Sequence, residues 1–528
     1  VKQGEFIADE WYNLTSEFAR HAEDPQKLAL IWQDEQGNTE RITYADLMKR
    51  ANQIANVLLD LGVKKGDPVL VIMPRLIETY AVYIACLQSG IVIIPSSEML
   101  RAQDIAYRLQ HSEAAAVICH HEFTDEVDRV NSLPVSCQHK LITGGTKVGW
   151  QELSLLAAQA SPQFETLKTH RDDMAFLSYT SGTTGQPKGA VHTHGWGYAH
   201  LRIAAKNWLA IEENDMVWAT AGPGWQKWIW SPFVSVLGSG ATGFIYRGRF
   251  DPIQYLKLIE AYGINVLCCT PTEYRLIAKV DQLAEFNLSS LRSAVSAGEP
   301  LNREVIDTFQ RHFQLKVRDG YGQTENTLLV GTMLDMEVKP GSMGKPTPGN
   351  LVEIIDEDGQ PVPVGEVGDI AVHRSTPTLF KEYYREPERT MAAFRGDYYI
   401  TGDKASKDED GYLWFEGRGD DIIISSGYTI GPFEVEDALT KHPAVQECAV
   451  VASPDEVRGN IVKAFIVLKS SYNPSEELTT ELQEHVKALT APYKYPRKIE
   501  YLQDLPKTTS GKIRRIELRV HELQGKSR

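Results

Sequence analysis

The chain runs to 528 residues, 42% hydrophobic and 24% charged, a globular composition too long for one core, so at least two domains are expected. Its formal charge of −15 argues against nucleic acid or an anionic membrane as the main partner, though local loops and lysines can still hold small anions. No apolar run approaches the roughly 20 residues of a bilayer crossing. Six scattered cysteines (86, 119, 137, 268, 269 and 448) offer neither a disulfide framework nor a C-x-x-C zinc pair.

The start, Val1-Lys2-Gln3-Gly4-Glu5, carries no apolar signal region. The reduced cytoplasm is the expected compartment, with the mitochondrial matrix as the alternative were a transit peptide to precede it. Residues 69–73 read as a buried strand closed by Pro74, followed by a helix over 76–88, a strand over 91–95, a helix over 102–111 and a strand over 114–118. That β-α-β-α-β order predicts parallel pairing with helices on both faces. Cys119-His120-His121 follows; neighbours on a strand point to opposite faces, so the three are not expected to share a metal.

Met174-Ala175-Phe176-Leu177 reads as another strand. The α/β rhythm returns with strands at 216–220, 242–246 and 266–270 and helical segments at 229–237 and 255–262. From 352 to 373 short strands with turns at Asp358-Gly359 and Gly365-Glu366 predict a β-rich subdomain, reaching from about 350 to 417. Beyond Gly417-Arg418-Gly419-Asp420-Asp421 comes an α+β tail with helices at 432–441 and 476–489 and strands at 445–452 and 462–468. No low-complexity linker separates it, so the break at Asp420 suits a hinge better than a tether. The expected fold is α/β: a large N-terminal domain (1–419) of parallel α/β sheets with its β-rich subdomain, plus a small mobile α+β C-terminal domain (420–528).

The segment Y-T-S-G-T-T-G-Q-P-K-G-A-V-H-T-H spans Tyr179 to His194 and cannot build a core. Its glycines permit positive φ, so successive N–H groups can turn inward around an anion; the hydroxyls add donors and Lys188 a charge. A solvated turn is the plainer alternative. The Walker-A pattern fails, because Pro187 precedes Lys188 and Gly189 follows where a Ser or Thr should stand.

Ser181-Gly182-Thr183-Thr184-Gly185-Gln186-Pro187-Lys188-Gly189 resembles the phosphate loop of the adenylate-forming superfamily, which includes acyl-CoA synthetases, peptide-synthetase adenylation domains and luciferases. Five further segments match in the family's order: Ser296-Ala297-Gly298-Glu299-Pro300, Gly320-Tyr321-Gly322-Gln323-Thr324-Glu325, Tyr399-Ile400-Thr401-Gly402-Asp403, Gly417-Arg418-Gly419-Asp420-Asp421 and Pro506-Lys507-Thr508-Thr509-Ser510-Gly511-Lys512-Ile513. Ser425-Ser426-Gly427-Tyr428, Gly431-Pro432-Phe433-Glu434-Val435-Glu436 and Ala491-Pro492-Tyr493-Lys494-Tyr495-Pro496-Arg497-Lys498 look most like the medium-chain acyl-CoA synthetases.

The resemblance implies a two-step ligase using ATP, Mg2+ and coenzyme A. A carboxylate attacks the α-phosphate of ATP, giving acyl-AMP and pyrophosphate; the CoA thiol then displaces AMP. Thr180, Ser181, Gly182, Thr183, Thr184, Gly185, Gln186, Pro187 and Lys188 would hold the β- and γ-phosphates. Glu325 would bind the metal, with Thr324 beside it at the α-phosphate or acyl carbonyl. Lys512 would bridge the two anions as they meet. Gly298, Glu299, Pro300 and Tyr321 would line the adenine slot, Asp319, Gly320, Gly322 and Gln323 completing the nucleotide site. Asp403 would accept from the ribose hydroxyls with Arg418 as an added donor; a turn aspartate is the plain alternative for Asp403.

Rotation about Asp420 would then bring Ser426, Gly427 and Tyr428 to the CoA channel, with Arg458 and Lys494 pairing CoA phosphates. Relatives usually carry Arg after Ser-Gly-Tyr, where this chain has Thr429. Acetate-specific relatives place a tryptophan where this chain has Gly322; a missing indole leaves room for methylenes, each worth about 0.8 kcal/mol when buried. Trp225, Trp228 and Trp230 fall in the region resembling the acyl pocket, with Trp225 and Trp228 taken as its walls and core packing as the alternative. Lys227 is expected at the surface, and Gly222 replaces a common Asp. The reading is an ATP-dependent acid:CoA ligase for medium-chain acids. The alternatives are an aryl- or short branched-chain ligase on the same fold, or a non-catalytic nucleotide or acyl sensor.

Overall fold

The structure, a computed structural model, describes residues 3–180, 186–298, 301–426, 428–490, 492–508 and 511–525. A seven-stranded sheet runs in the order Gln151–Glu152, His139–Thr143, Ala116–His120, Pro68–Ile72, Val92–Pro95, Met174–Thr180, Lys188–Thr193. All pairs are parallel except the last. The side-chain period of two explains its continuous apolar runs. Val69 and Val71 enter the large core between the sheets, while Leu70 and Ile72 enter a second core on the outer face.

The second sheet has nine strands, in the order Lys345–Pro346, Leu328–Gly331, Val317–Gly322, Ser293–Ala297, Val266–Cys269, Met216–Ala219, Thr242–Arg247, Leu28–Asp34, Thr39–Thr43. Six adjoining strands are parallel, and the edges turn antiparallel. Between the sheets lies the helix Ile77–Gln88, buried everywhere but at Glu78, as a helix covered on both sides must be. The helix Pro252–Tyr262 shows how local sequence sets an element on the outer face. Asp251 caps its first turn by accepting from Gln254 N, Pro252 occupies the first position, and Gly263 ends it at φ 60°.

A five-stranded antiparallel sheet follows, centred on Gly368–His373 and Tyr398–Lys407. The smaller C-terminal domain pairs Val445–Asp455 with Gly459–Leu468, and the latter with Lys498–Tyr501 in parallel. Its helices Pro432–Thr440 and Glu476–Leu489 cover one face, over Cys448, Val450, Ala464 and Ile466; Arg515–Gln524 covers the other, over Ala449, Val451 and Phe465. No helix among the described residues is long and apolar enough to cross a membrane.

The strand Met174–Thr180 returns antiparallel as Lys188–Thr193, so the glycine-rich loop joins a hairpin. Two expectations need correction. The helical stretch at 229–237 begins as a π-helix, Ile229–Ser235, because Pro232 inside it has no N–H to donate. The strand Ala116–His120 ends where a short 3-10 turn, His121–Phe123, begins, so the opposite-faces argument lapses. Ligand atoms of His120, His121 and Glu122 lie within 4.8 Å of one another, although Glu122 is already paired with Arg247.

Candidate active site

The strand Val317–Gly322 stops at a tight turn and returns as Leu328–Gly331, putting Thr324 and Glu325 at the tip. Gln323 N–H donates to Asn326 Oδ1 at 2.8 Å and Asn326 N–H to Gln323 O at 3.1 Å, which closes the turn. Glu325 is 9% exposed, and its Oε2 accepts from Tyr399 OH at 2.7 Å and Tyr383 OH at 3.1 Å. Burial first, then the Glu325 charge, raises both phenols, so each stays protonated and donating. No cation among the described residues pairs with Glu325, and both phenols use the same oxygen. A buried carboxylate with one oxygen free suits a hard divalent cation. Lys188 sits 4.7 Å above the ring of Tyr383, linking the end of the glycine-rich hairpin to the same group.

Along Tyr398–Lys407 the alternate residues Tyr399, Thr401 and Asp403 turn inward. Asp403 is 5% exposed and accepts from Tyr321 OH at 2.5 Å, with Arg418 Nη1 3.9 Å from its other oxygen. Burial raises its carboxyl above the ordinary range; the charge of Arg418, the Tyr321 bond and then the charge of Lys512 pull it back. Lys512 is exposed and held in its turn by backbone bonds with Thr508. Gln323 Nε2 donates to Thr401 O at 2.8 Å, fastening the turn to the same strand.

Asp319 faces inward. It accepts from Gly320 N at 2.8 Å and Leu301 N at 3.4 Å, and burial pushes its carboxyl up to about 7. It braces backbone and offers little to a nucleotide directly. Gly298 has φ 116°, and a Cβ there would stand 3.2 Å from Lys227 Nζ. Gly320 packs so tightly that a Cβ would meet Trp208 at 2.5 Å. On the hairpin, Thr180 pairs with Lys188, Gln186 O accepts from Arg389, and Pro187 O accepts from Tyr107 OH. Ser181, Gly182, Thr183, Thr184, Gly185, Glu299, Pro300 and Gly427 lie outside the described residues.

The acyl-pocket expectations change most. A Cβ at Gly322 would fall 2.1 Å from Thr327 O and 2.9 Å from Trp230 Cη2, so the room left by the missing indole is filled by another. Trp230, not Trp228, is the tryptophan beside Gly322. Trp228 is core, stacked on Phe233 at 5.3 Å and edge-on to Tyr80 and Tyr83. Trp225 is half-buried and precedes that helix. Lys227 is not at the surface; it is half-buried and donates to Ala297 O.

The residues expected at coenzyme A form a separate cluster on the C-terminal domain. Arg458 Nη1 donates to Ser426 Oγ at 3.3 Å, Lys494 donates to Glu434 at 2.6 Å, and Tyr428 stacks on Tyr493 at 4.2 Å. Asp420 stands between Arg418 Nε at 3.7 Å and Arg519 Nη2 at 3.3 Å. The sequence reading missed Tyr383, placed Trp230 in the acyl-pocket region without taking it as a wall, and quoted Tyr493 in a motif without a role. A signal existed for Tyr399, which heads a quoted motif at the spacing that shares a strand face with Asp403.

Residues 18–384 match the AMP-binding enzyme family and residues 434–512 the AMP-binding enzyme C-terminal domain. The uncharacterized acyl-CoA ligase YtcI of Bacillus subtilis (strain 168) is 62% identical over 100% of this chain and 99% of its own length. The mitochondrial acyl-coenzyme A synthetase ACSM3 of Rattus norvegicus is 41% identical over 98% of this chain and 90% of its own. Among solved structures, the anthranilate CoA ligase AuaEII in complex with anthranoyl-AMP superposes with a TM-score of 0.92 at 29% identity, covering 100% of both chains. A benzoate CoA ligase from Burkholderia xenovorans LB400 superposes with a TM-score of 0.85 at 31% identity, over 96% of this chain and 100% of that one.

Proposed function

The chain belongs to the AMP-binding enzyme family and is an acyl-CoA ligase, and we propose that it activates a medium-chain carboxylic acid as acyl-AMP before passing it to coenzyme A. The observation that supports the first step is the buried Asp403 carboxylate on the large domain, with Tyr321 OH at 2.5 Å and Arg418 Nη1 at 3.9 Å from its two oxygens. Asp403 would accept from the ribose hydroxyls, exchanging the Tyr321 bond for them. Lys512 would then face the α-phosphate and neutralise the approach of the substrate carboxylate.

Glu325 would hold Mg2+ through the oxygen its tyrosines leave free; when bound, the ion offsets charge on the phosphates. Thr324, at the same tip, would donate its hydroxyl to the α-phosphate or acyl carbonyl. Ser426, Tyr428, Arg458 and Lys494 would serve the second step after the small domain turns about Asp420.

One observation favours a second reading of the acid. The ring of Trp230 fills the space beside Gly322, which would shorten the pocket toward short branched or aryl acids. The test is acid-dependent exchange of labelled pyrophosphate into ATP across straight acids from acetate to dodecanoate, with isobutyrate and benzoate alongside. Exchange peaking at medium length supports the first reading, and a peak at benzoate or isobutyrate the second. Silence across the panel defeats both. Trp230→Leu should move the optimum to longer acids by the removed ring.

A further inference from the structure

The strand Lys188–Thr193 that leaves the glycine-rich loop, and the helix His194–His200 after it, carry side chains that reach the turn from Thr324 to Thr327. His192 is fully buried, and its Nε2 lies 2.5 Å from Thr324 O. A carbonyl can only accept, so Nε2 carries the proton and Nδ1, which has no partner among the described residues, does not. Four residues on, Trp196 Nε1 donates to Asn326 O at 3.1 Å. One turn further, His200 Nδ1 accepts from Thr327 Oγ1 at 2.6 Å while its Nε2 donates to Trp230 O at 2.8 Å. Trp196 and His200 stack with centroids 4.9 Å apart, and His192 tilts against Trp196 at 5.0 Å, so the three rings form one column. Burial pulls both imidazoles down to about 4, so each stays neutral with a single proton and a fixed donor side.

Thr324 O falls between the strand that ends at Gly322 and the one that begins at Leu328, so no sheet ladder reaches it. The next carbonyl, Glu325 O, accepts from Phe380 N at 2.7 Å. The two peptides flanking the proposed metal ligand are thus held by different elements, and His192 supplies one of the two holds.

We propose that His192 is a positioning residue for the adenylation step: its Nε2–H sets the Thr324–Glu325 peptide, and so the placing of the two side chains at the tip. The column continues the strand from Lys188, so a shift of one side of the nucleotide site would carry the other with it. The inference rests on the ligase reading for the roles of Thr324 and Glu325.

Two variants separate donation from shape. His192→Leu fills the space without a donor, and His192→Gln keeps an N–H at similar reach. ATP binding is measured by calorimetry with Mg2+ and with EDTA, alongside pyrophosphate exchange and the melting temperature. Loss of a group that orients a metal ligand typically costs roughly 10- to 100-fold. His192→Leu should therefore weaken ATP binding by about that factor with Mg2+ only, and slow exchange by a similar one, while His192→Gln recovers most of both. An equal loss with and without Mg2+, or a Gln variant as impaired as Leu, overturns the proposal. Should the Leu chain not fold, His192→Asn, whose amide is too short to reach Thr324 O, takes its place under the same criteria. A wild-type chain that shows the His192 dependence of ATP binding but exchanges with no acid supports the positioning and overturns the ligase reading.

Discussion

Lys512 is an exposed side chain with no ion pair among the described residues. Lys512→Ala should lower acid-dependent pyrophosphate exchange by on the order of 10²–10³, the scale of losing one preorganised donor at a developing charge. Thioester formation from supplied acyl-AMP and CoA should survive largely intact. Equal loss of both half-reactions removes the assigned role. Glu325, Thr324, Asp403 and Lys512 could be proposed from the sequence because the phosphate, metal and ribose roles suggested for them call for particular side chains inside short fixed contexts. Tyr383 could not. It sits in no motif and comes to Glu325 because residues 381–384 pair with the far strand at Gly189 and Val191, through Val191 N–H to Glu382 O at 2.9 Å and Tyr384 N–H to Gly189 O at 2.7 Å. Pairing across nearly two hundred residues leaves no local trace.

The strand after the glycine-rich loop and the helix that follows it, Lys188–Thr193 and His194–His200, concentrate buried imidazole. His192, His194 and His200 are each pulled to about 4 by burial, well below the ordinary value of 6.5. The unfolded chain takes up protons here that the folded chain refuses. Each histidine therefore adds stability above about pH 6.5 that is lost as pH falls toward 4. Asp319, raised to about 7, acts with the opposite sign, so total acid stability is the wrong measurement. The useful one is a difference. His194 Nδ1 accepts from Leu14 N at 3.1 Å, a bond that His194→Asn can keep. Urea unfolding at pH 7.5 and 5.5 should show the gap between wild type and His194→Asn narrowing by about 1.4 kcal/mol for each pH unit below 6.5. A constant gap discards the buried neutral histidine. Most strands and helices were readable from apolar period and caps. The hairpin after Met174–Thr180 was not, because glycine and hydroxyl content reports what a loop can bind and not which way the chain leaves it.

Across the whole molecule the hinge assignment makes the two half-reactions separable. Asp420 lies between Arg418 on the large domain and Arg519 on the last helix, and Arg519 also pairs with Asp421. Fixing φ at that residue should leave the first half-reaction and block the second, so Asp420→Pro should retain pyrophosphate exchange and lose acyl-CoA formation from supplied acyl-AMP. Unimpaired transfer to CoA means that the turning point lies elsewhere.

By itself the sequence determined the parallel α/β architecture, the order along the chain of the side chains proposed for phosphate, metal and ribose, and the change of texture near Asp420, since each is written in local period or in a short chemical context. Only the tertiary structure decided which indole stands beside Gly322, that Lys227 is half-buried against Ala297 O, which phenols orient Glu325, and that three rings from a strand and the helix after it hold the turn bearing Thr324. These depend on which distant segments pack together, and close packing of a large core settles that through the summed fit of many side chains, none of which announces its neighbour along the chain.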